Sequence, residues 1–466
     1  MSEMNSGTLV ESIDPANGEV VATYEVFSEG QIDAALDLAH GAFGDWRRAE
    51  WSKRAELMNG VARELRAMSE ELADTVSREM GKPITEAKAE VEKCAWAAEY
   101  YAEHGGSFVA PEAIDAGGGR RVAVHKRPLG VVLAIMPWNY PLWQAMRAAV
   151  PIVSAGNCFV LKHASNVTGC GLLLEQAFER AGAAPGVFKT IIASGRKAGE
   201  LIGDRRIAGV TLTGSDAAGV AVGEAAGRAI KPAVLELGGS DPFIVLGDAN
   251  LDRAVEVAVT ARFQNTGQSC IAAKRFIVVE AVAEDFEERF AAAAKNLRRG
   301  APLDPETQLG PMAREDLRDE LAGIVRASEA AGARIVTGGE APDEKGAWYE
   351  PTVVSATGDS QAPVMREETF GPVAAVARVA DEAAAIALAN QSEFGLGSSL
   401  WTQDLERAER LAADIEAGMV FVNAMTASDP RIPFGGVKRS GIGRELGSEY
   451  GMRAFVNMQA VAITEV

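Results

Sequence analysis

From residue 130 to residue 250 the chain repeats one unit: a short apolar run, then a longer amphipathic one. The apolar runs fall at 131–136, 158–162, 187–192, 209–213, 233–237 and 243–246, each short enough for a strand. Between them, 142–154, 169–181, 196–203 and 217–229 carry apolar residues at helical spacing. This alternation specifies an α/β fold with a doubly wound sheet. Residues 251–430 repeat it, with helices at 251–265, 283–298 and 314–331 and a strand at 275–279. Two such domains facing each other would enclose a cleft. At 466 residues, 47% of them hydrophobic, the chain is long enough for two large cores.

The flanks read differently. Residues 1–11 have the composition of a loose terminus, and 13–27 suggest a hairpin turning at Asp14-Pro-Ala-Asn-Gly18. Three helical stretches follow. The first runs from Gln31 to about Trp46, and Ser52 is placed to cap the second. The third begins at Ile84, after the break at Gly81-Lys-Pro83. Gly117-Gly-Gly119 reads as a linker. Residues 120–127 alternate polar and apolar like a two-sided strand, and 454–463 is also strand-like.

Charge narrows the partners. Forty-six basic against 65 acidic side chains give a formal charge of −19, which disfavours nucleic acid or an anionic membrane. No apolar run is long enough to span a bilayer. The four cysteines are few and irregularly spaced, which points to a reducing, cytoplasmic setting. Neither they nor the four histidines have metal-ligand spacing, so no metal is expected.

Three stretches carry chemistry. Asn265-Thr-Gly-Gln-Ser-Cys-Ile-Ala-Ala-Lys-Arg275 holds Cys270 in a polar turn, where a thiol ionises more readily than in a core. Leu235-Glu-Leu-Gly-Gly-Ser-Asp-Pro-Phe243 sets Glu236 beside a glycine pair. Met136-Pro-Trp-Asn-Tyr-Pro141 is a stiff turn carrying the Asn139 amide. A thiol, a carboxylate and an amide donor form a set for covalent catalysis. A fourth stretch, Gly209 to Gly219, ends a strand and opens a helix at Gly214-Ser215, which suits a pyrophosphate or a plain helix cap. It stands where a dinucleotide fold would carry G-x-G-x-x-G, which is lacking here.

Together with Glu367-Glu-Thr-Phe-Gly-Pro372 and the stretch Pro433 to Gly447, these motifs resemble the aldehyde dehydrogenase superfamily, in order and over nearly the whole chain. The resemblance implies a Rossmann-like cofactor domain (1–119 and 137–238), a catalytic domain (239–430) and an oligomerisation arm (120–136 and 454–466). It implies a homodimer or homotetramer. It makes Cys270 the nucleophile, Glu236 the base that activates water, and Asn139 with the Cys270 N–H the oxyanion donors. Trp138, Lys162, Ser165, Gly214, Ser215, Leu237, Glu368 and Phe370 would line the dinucleotide site, with Glu367 as an alternative to Glu368. Many members that prefer NAD have a glutamate where Ser165 stands, so serine implies that NADP is accepted and preferred, with NAD as the alternative. His163 replaces the more common proline. Lys438 and the glycines at 435, 436, 441 and 443 would shape a loop on the dimer side.

Lys162-His-Ala-Ser165 and Asn423 to Arg431 resemble most the members that oxidise succinate semialdehyde. Its carboxylate calls for a cation, best a guanidinium. Arg147 is the first candidate and Arg431 the second; for Arg147 a salt bridge between domains is the bland alternative. Ala272 stands where some relatives carry a second cysteine, so no disulfide switch is expected. A different semialdehyde or aliphatic aldehyde, and a binding protein without catalysis on the same fold, remain as other readings.

Overall fold

The computed structural model describes residues 9–117, 120–357 and 361–464. Part of the Gly117–Gly119 linker therefore lies outside the described residues. Two large sheets organise the chain. The first has six strands in the order Gly441–Ile442, Ala233–Glu236, Ile207–Thr213, Val131–Met136, Cys158–His163, Phe188–Ile191. All are parallel except the first, which pairs antiparallel with Ala233–Glu236. In chain order the five parallel strands lie 3-2-1-4-5, the dinucleotide-binding order, and the order reverses between Val131–Met136 and Ile207–Thr213.

The second sheet has seven strands: Arg334–Thr337, Thr352–Thr357, Val373–Val379, Ala273–Val279, Asp241–Val245, Gly397–Trp401 and Met419–Val422. Only its first strand runs antiparallel. The four residues from Leu237 to Ser240 join the sheets, so the chain leaves the C-terminal end of Ala233–Glu236 and enters Asp241–Val245 directly. The sheets thus meet end to end around the Leu237–Ser240 crossing.

Arg120–Pro128, Val456–Thr464 and Glu112–Ile114 form a separate three-stranded antiparallel sheet. The arm is shorter than expected. Residues 131–136 belong to the first sheet, because Val131–Met136 is fully apolar and is paired on both edges.

The helical N-terminal third packs into one apolar core with the first sheet. Here the sequence reading needs two further corrections. The loose terminus is shorter than 1–11: Leu9–Ile13 is a strand, held where Ser12 Oγ donates to the buried Glu79 Oε1 at 2.7 Å. Ser52 caps nothing. The helix Trp51–Ala67 begins after Glu50, and a separate helix, Ser69–Met80, follows it to Gly81. Gly81 takes the left-handed conformation (φ 81°) that ends a helix. Among the described residues, no helix is long and apolar enough to cross a membrane.

Candidate active site

Two cavities open at the junction of the sheets. The larger, about 620 Å³, lies at the strand-order reversal, where Pro137, Trp138 and Asn139 leave one strand and Gly214 and Ser215 leave its neighbour. The smaller, about 250 Å³, is walled by Tyr140, Trp143, Arg147, Gln264, Met425 and Ser428. Cys270 and Gln144 line both. Cys270, the residue expected to be the nucleophile, thus stands where the two cavities meet.

The Cys270 turn is stapled from several sides. Asn265, Thr266 and Gly267 are all left-handed. Arg262, fully buried, donates to the carbonyls of Gly267, Ala273 and Gly371. Lys274 Nζ donates to the carbonyls of Ser269 (3.0 Å) and Cys270 (2.8 Å) and lies 3.3 Å from Glu368. The glycine pair has a steric reason. A Cβ on Gly238 would lie 2.5 Å from Glu368 Oε2, and one on Gly239 would lie 2.6 Å from the Cys270 carbonyl oxygen.

Asn139 is not a helix cap. The helix Trp143–Ser154 starts without a side-chain cap of its own, and Glu90 Oε1 accepts the Leu142 and Trp143 N–H groups. Asn139 Nδ2 instead donates to the Gln268 carbonyl at 3.0 Å, while Gln144 Nε2 reaches its Oδ1 at 3.5 Å. One amide hydrogen remains for a ligand. Among the described residues no acceptor takes the Cys270 N–H.

The Cys270 thiol is raised less than those in the core: Cys158 is pushed to about 12, and Cys94 and Cys170 well above the usual thiol range. Burial pushes the Cys270 thiol up to about 11, although Arg147 and Lys274 pull the other way. The turn is polar in sequence, but its polar groups spend their hydrogen bonds on each other.

Glu236 ends its strand with both carboxylate oxygens unpartnered and lines neither cavity. Burial raises its pKa well above the usual carboxylate range, and Glu445 adds to this while Arg147 and Arg444 oppose it. The stretch expected to form a loop on the dimer side packs against it: Gly441 pairs with Glu236, and a Cβ on Gly435 would lie 2.7 Å from Glu236 Oε1.

Of the residues expected at the dinucleotide, Trp138, Gly214, Ser215, Leu237, Glu368 and Phe370 line the larger cavity, and so does Glu367. Trp138 and Phe370 meet edge to face at 5.6 Å. Glu368 is held by the Gly239 N–H at 3.0 Å. Gly214 N–H is already used by the Glu236 carbonyl, and Ser215 Oγ caps the helix Asp216–Ala229 through Ala218 N. Lys162 and Ser165 lie outside the cavity wall. Lys162 sits at the C-terminal end of its strand, on the same sheet edge. Its amine has no hydrogen-bond or ion-pair partner among the described residues, and burial lowers its pKa to about 8. A buried, unpaired cation beside the strand-order reversal fits a phosphorylated ligand. His163 is buried and neutral, its pKa lowered to about 4 by burial. Neutral, it donates from Nε2 to the Pro141 carbonyl (2.7 Å) and accepts the Ala164 N–H at Nδ1 (2.9 Å). It therefore ties the Asn139 turn to the Lys162 loop.

The substrate cations fare worse. Arg431 is mostly exposed, bound to Asp429 at 2.6 Å, and lines neither cavity, so the fold does not bring it to Cys270. Arg147 does line the smaller cavity, but its Nε donates to Glu445 at 2.6 Å, its Nη2 to Thr213 Oγ1 at 3.2 Å, and its guanidinium stacks on Phe434 at 4.2 Å. The bland alternative, a buried salt bridge, is what Arg147 makes. Its partner Glu445 was missed, as was Lys274. Both stand inside quoted motifs, but a motif does not say which charges pair.

Comparison with known proteins fits this geometry. The profile described as "Aldehyde dehydrogenase family" matches residues 2–461. Over 452 residues the chain is 50% identical to the succinate semialdehyde dehydrogenase NAD(P)+ Sad of Escherichia coli K12, covering 97% of each protein. It is 48% identical to a succinate-semialdehyde dehydrogenase NADP(+) 1 of Mycobacterium tuberculosis H37Rv, covering 97% of this chain and 99% of that one. A solved succinic semialdehyde dehydrogenase from Streptococcus pyogenes, in complex with NADP+, superposes with a TM-score of 0.95 at 36% identity, covering 98% of this chain and 100% of the other. A partly exposed cysteine at the meeting point of two cavities and a profile match over nearly all of the sequence lead to one assignment: the chain belongs to the aldehyde dehydrogenase family.

Proposed function

We propose that the protein oxidises succinate semialdehyde to succinate with NADP, or with NAD. The observation that carries this is the position of Cys270, which lines both the cavity at the dinucleotide switch point and the smaller one. The relatives' names supply the substrate and cofactor class.

The fraction of Cys270 that has lost its proton to solvent attacks the aldehyde carbon as thiolate and forms a thiohemiacetal. The free Asn139 amide hydrogen and the Cys270 N–H hold its oxyanion. A dinucleotide held in the larger cavity would supply the hydride acceptor, and loss of hydride from the thiohemiacetal would leave a thioester on Cys270. Glu236 then accepts a proton from water, which attacks the thioester and releases the carboxylate. The raised pKa of Glu236 makes it a stronger base once ionised. Because it lines neither cavity, its side chain must swing toward Cys270 to act.

Trp138, Gly214, Ser215, Leu237, Glu368 and Phe370 would hold the dinucleotide in the larger cavity. Lys162 and Ser165 would meet the adenosine ribose and its 2′-phosphate. The cofactor-binding part would be 1–119 with 137–238, and the catalytic part 239–430. A homodimer or homotetramer is favoured by Val456–Thr464, which has a β partner on one edge only among the described residues and exposes Met458 and Ile463.

A panel of aldehydes with NAD and with NADP, following reduced cofactor and identifying the product without coenzyme A, tests this. The expected result is free succinate, with kcat/KM highest for succinate semialdehyde with NADP. Turnover that requires coenzyme A, or equal kcat/KM for butanal, would reject it.

A further inference from the structure

Three cations stand near the smaller cavity, and their partners differ. Arg147 is ion-paired with Glu445, and both side chains are buried. Arg431 is paired with Asp429 on the surface. Lys93 lines the cavity, yet among the described residues no hydrogen-bond acceptor or carboxylate holds its ammonium. It lies on the helix Ile84–Phe108, one turn after Glu90. Glu90 fixes that turn by accepting the Leu142 and Trp143 N–H groups at 2.9 and 2.8 Å. The Lys93 Nζ sits over the Trp143 ring, 4.4 Å from its centroid, and the ring is locked where its Nε1 donates to Ser428 Oγ at 3.1 Å.

We infer that Lys93 is the residue that binds the carboxylate of the aldehyde substrate. The inference rests on the function proposed above and deepens it. A half-buried ammonium on an aromatic platform loses hydration that its surroundings do not replace with an anion. A ligand carboxylate supplies one, at the strength of a charge-assisted hydrogen bond. The cavity is about 250 Å³ and holds Cys270 as well, so a short chain can present its aldehyde to the thiol and its carboxylate to Lys93. Burial first, then Arg147, lowers the Lys93 pKa to about 8; Cys94, Glu90 and Asp429 oppose this. The amine is thus mostly protonated at neutral pH. Recruiting Arg147 instead would mean taking a buried guanidinium from a buried carboxylate.

The test compares Lys93→Met and Lys93→Arg with the wild-type enzyme in two assays. In steady state, Lys93→Met should raise KM for succinate semialdehyde roughly tenfold or more beyond any change for butanal, and Lys93→Arg should recover most of that loss. In calorimetric titration with succinate, which needs no turnover, Lys93→Met should weaken binding by roughly the same factor. Equal KM changes for both aldehydes, an unchanged succinate affinity, or no succinate binding by the wild type would overturn the inference. A wild type that binds succinate through Lys93 but oxidises butanal equally well would defeat the proposed substrate and leave the Lys93 site standing.

Discussion

The two cavities that meet at Cys270 are built by different means. The larger is placed by topology, at strand ends on either side of a reversal with a helix N-terminus and close-packed glycines, and is walled further by side chains such as Leu317, Leu321, Ile324 and Phe394. The smaller is made by side chains from four separate parts of the chain, around residues 93, 143–147, 260–272 and 425–434. A site built from backbone keeps its character when single side chains change. A site built from side chains depends on which charges are already paired.

The largest effect should come where the cavities touch. Cys270→Ala should abolish aldehyde oxidation, by at least about 10³-fold, and leave dinucleotide affinity within a factor of about two. In the wild type, the pKa of about 11 predicts a rate for the first chemical step that climbs as pH rises, close to tenfold per unit from pH 7 toward pH 10. Stopped-flow measurement of the first turnover reads both, and a plateau near pH 7 would mean that the thiol ionises far more readily than its burial implies.

A next, smaller effect concerns stability on the side-chain-built side. Arg147→Ala leaves Glu445 buried without its cation and should cost about 3–5 kcal/mol. Changing Arg147 and Glu445 together to leucine should cost much less than the sum of the two single changes. Denaturant melts of the four proteins would measure this. Additive losses would mean that Arg147 is not committed to Glu445 and is available to substrate.

On the backbone-built side the expected effect is the smallest. Ser165→Glu should lower kcat/KM with NADP by about tenfold relative to NAD, because a carboxylate would repel a 2′-phosphate. An unchanged cofactor ratio would place the adenosine ribose away from Ser165.

The unequal legibility of the two cavities has the same origin. Six of the eight expected cofactor residues line the larger cavity, because short motifs at strand ends carry their own geometry. The α/β alternation was legible for the same reason: the helix expected at 142–154 is found at Trp143–Ser154, and that at 217–229 at Asp216–Ala229. The smaller cavity was not legible. Arg147 and Arg431 look alike in sequence, and only the fold brings Glu445 to one and turns the other to solvent. Lys93 lies in a helix with no motif. For Cys270, sequence gives the polarity of the turn but not how far partial burial raises the thiol, which is to about 11 against about 12 for Cys158.

In the proposed mechanism one thiol serves both cavities through a covalent thioester that Glu236 helps to release. Its most direct test is a single turnover of Glu236→Gln with succinate semialdehyde and NADP, followed by acid quench and peptide mass mapping. The expected result is a burst of one reduced cofactor per active site, slow steady-state turnover, and a succinyl group on the peptide that carries Cys270. No burst, an acyl group elsewhere, or steady-state turnover equal to the wild type would contradict it.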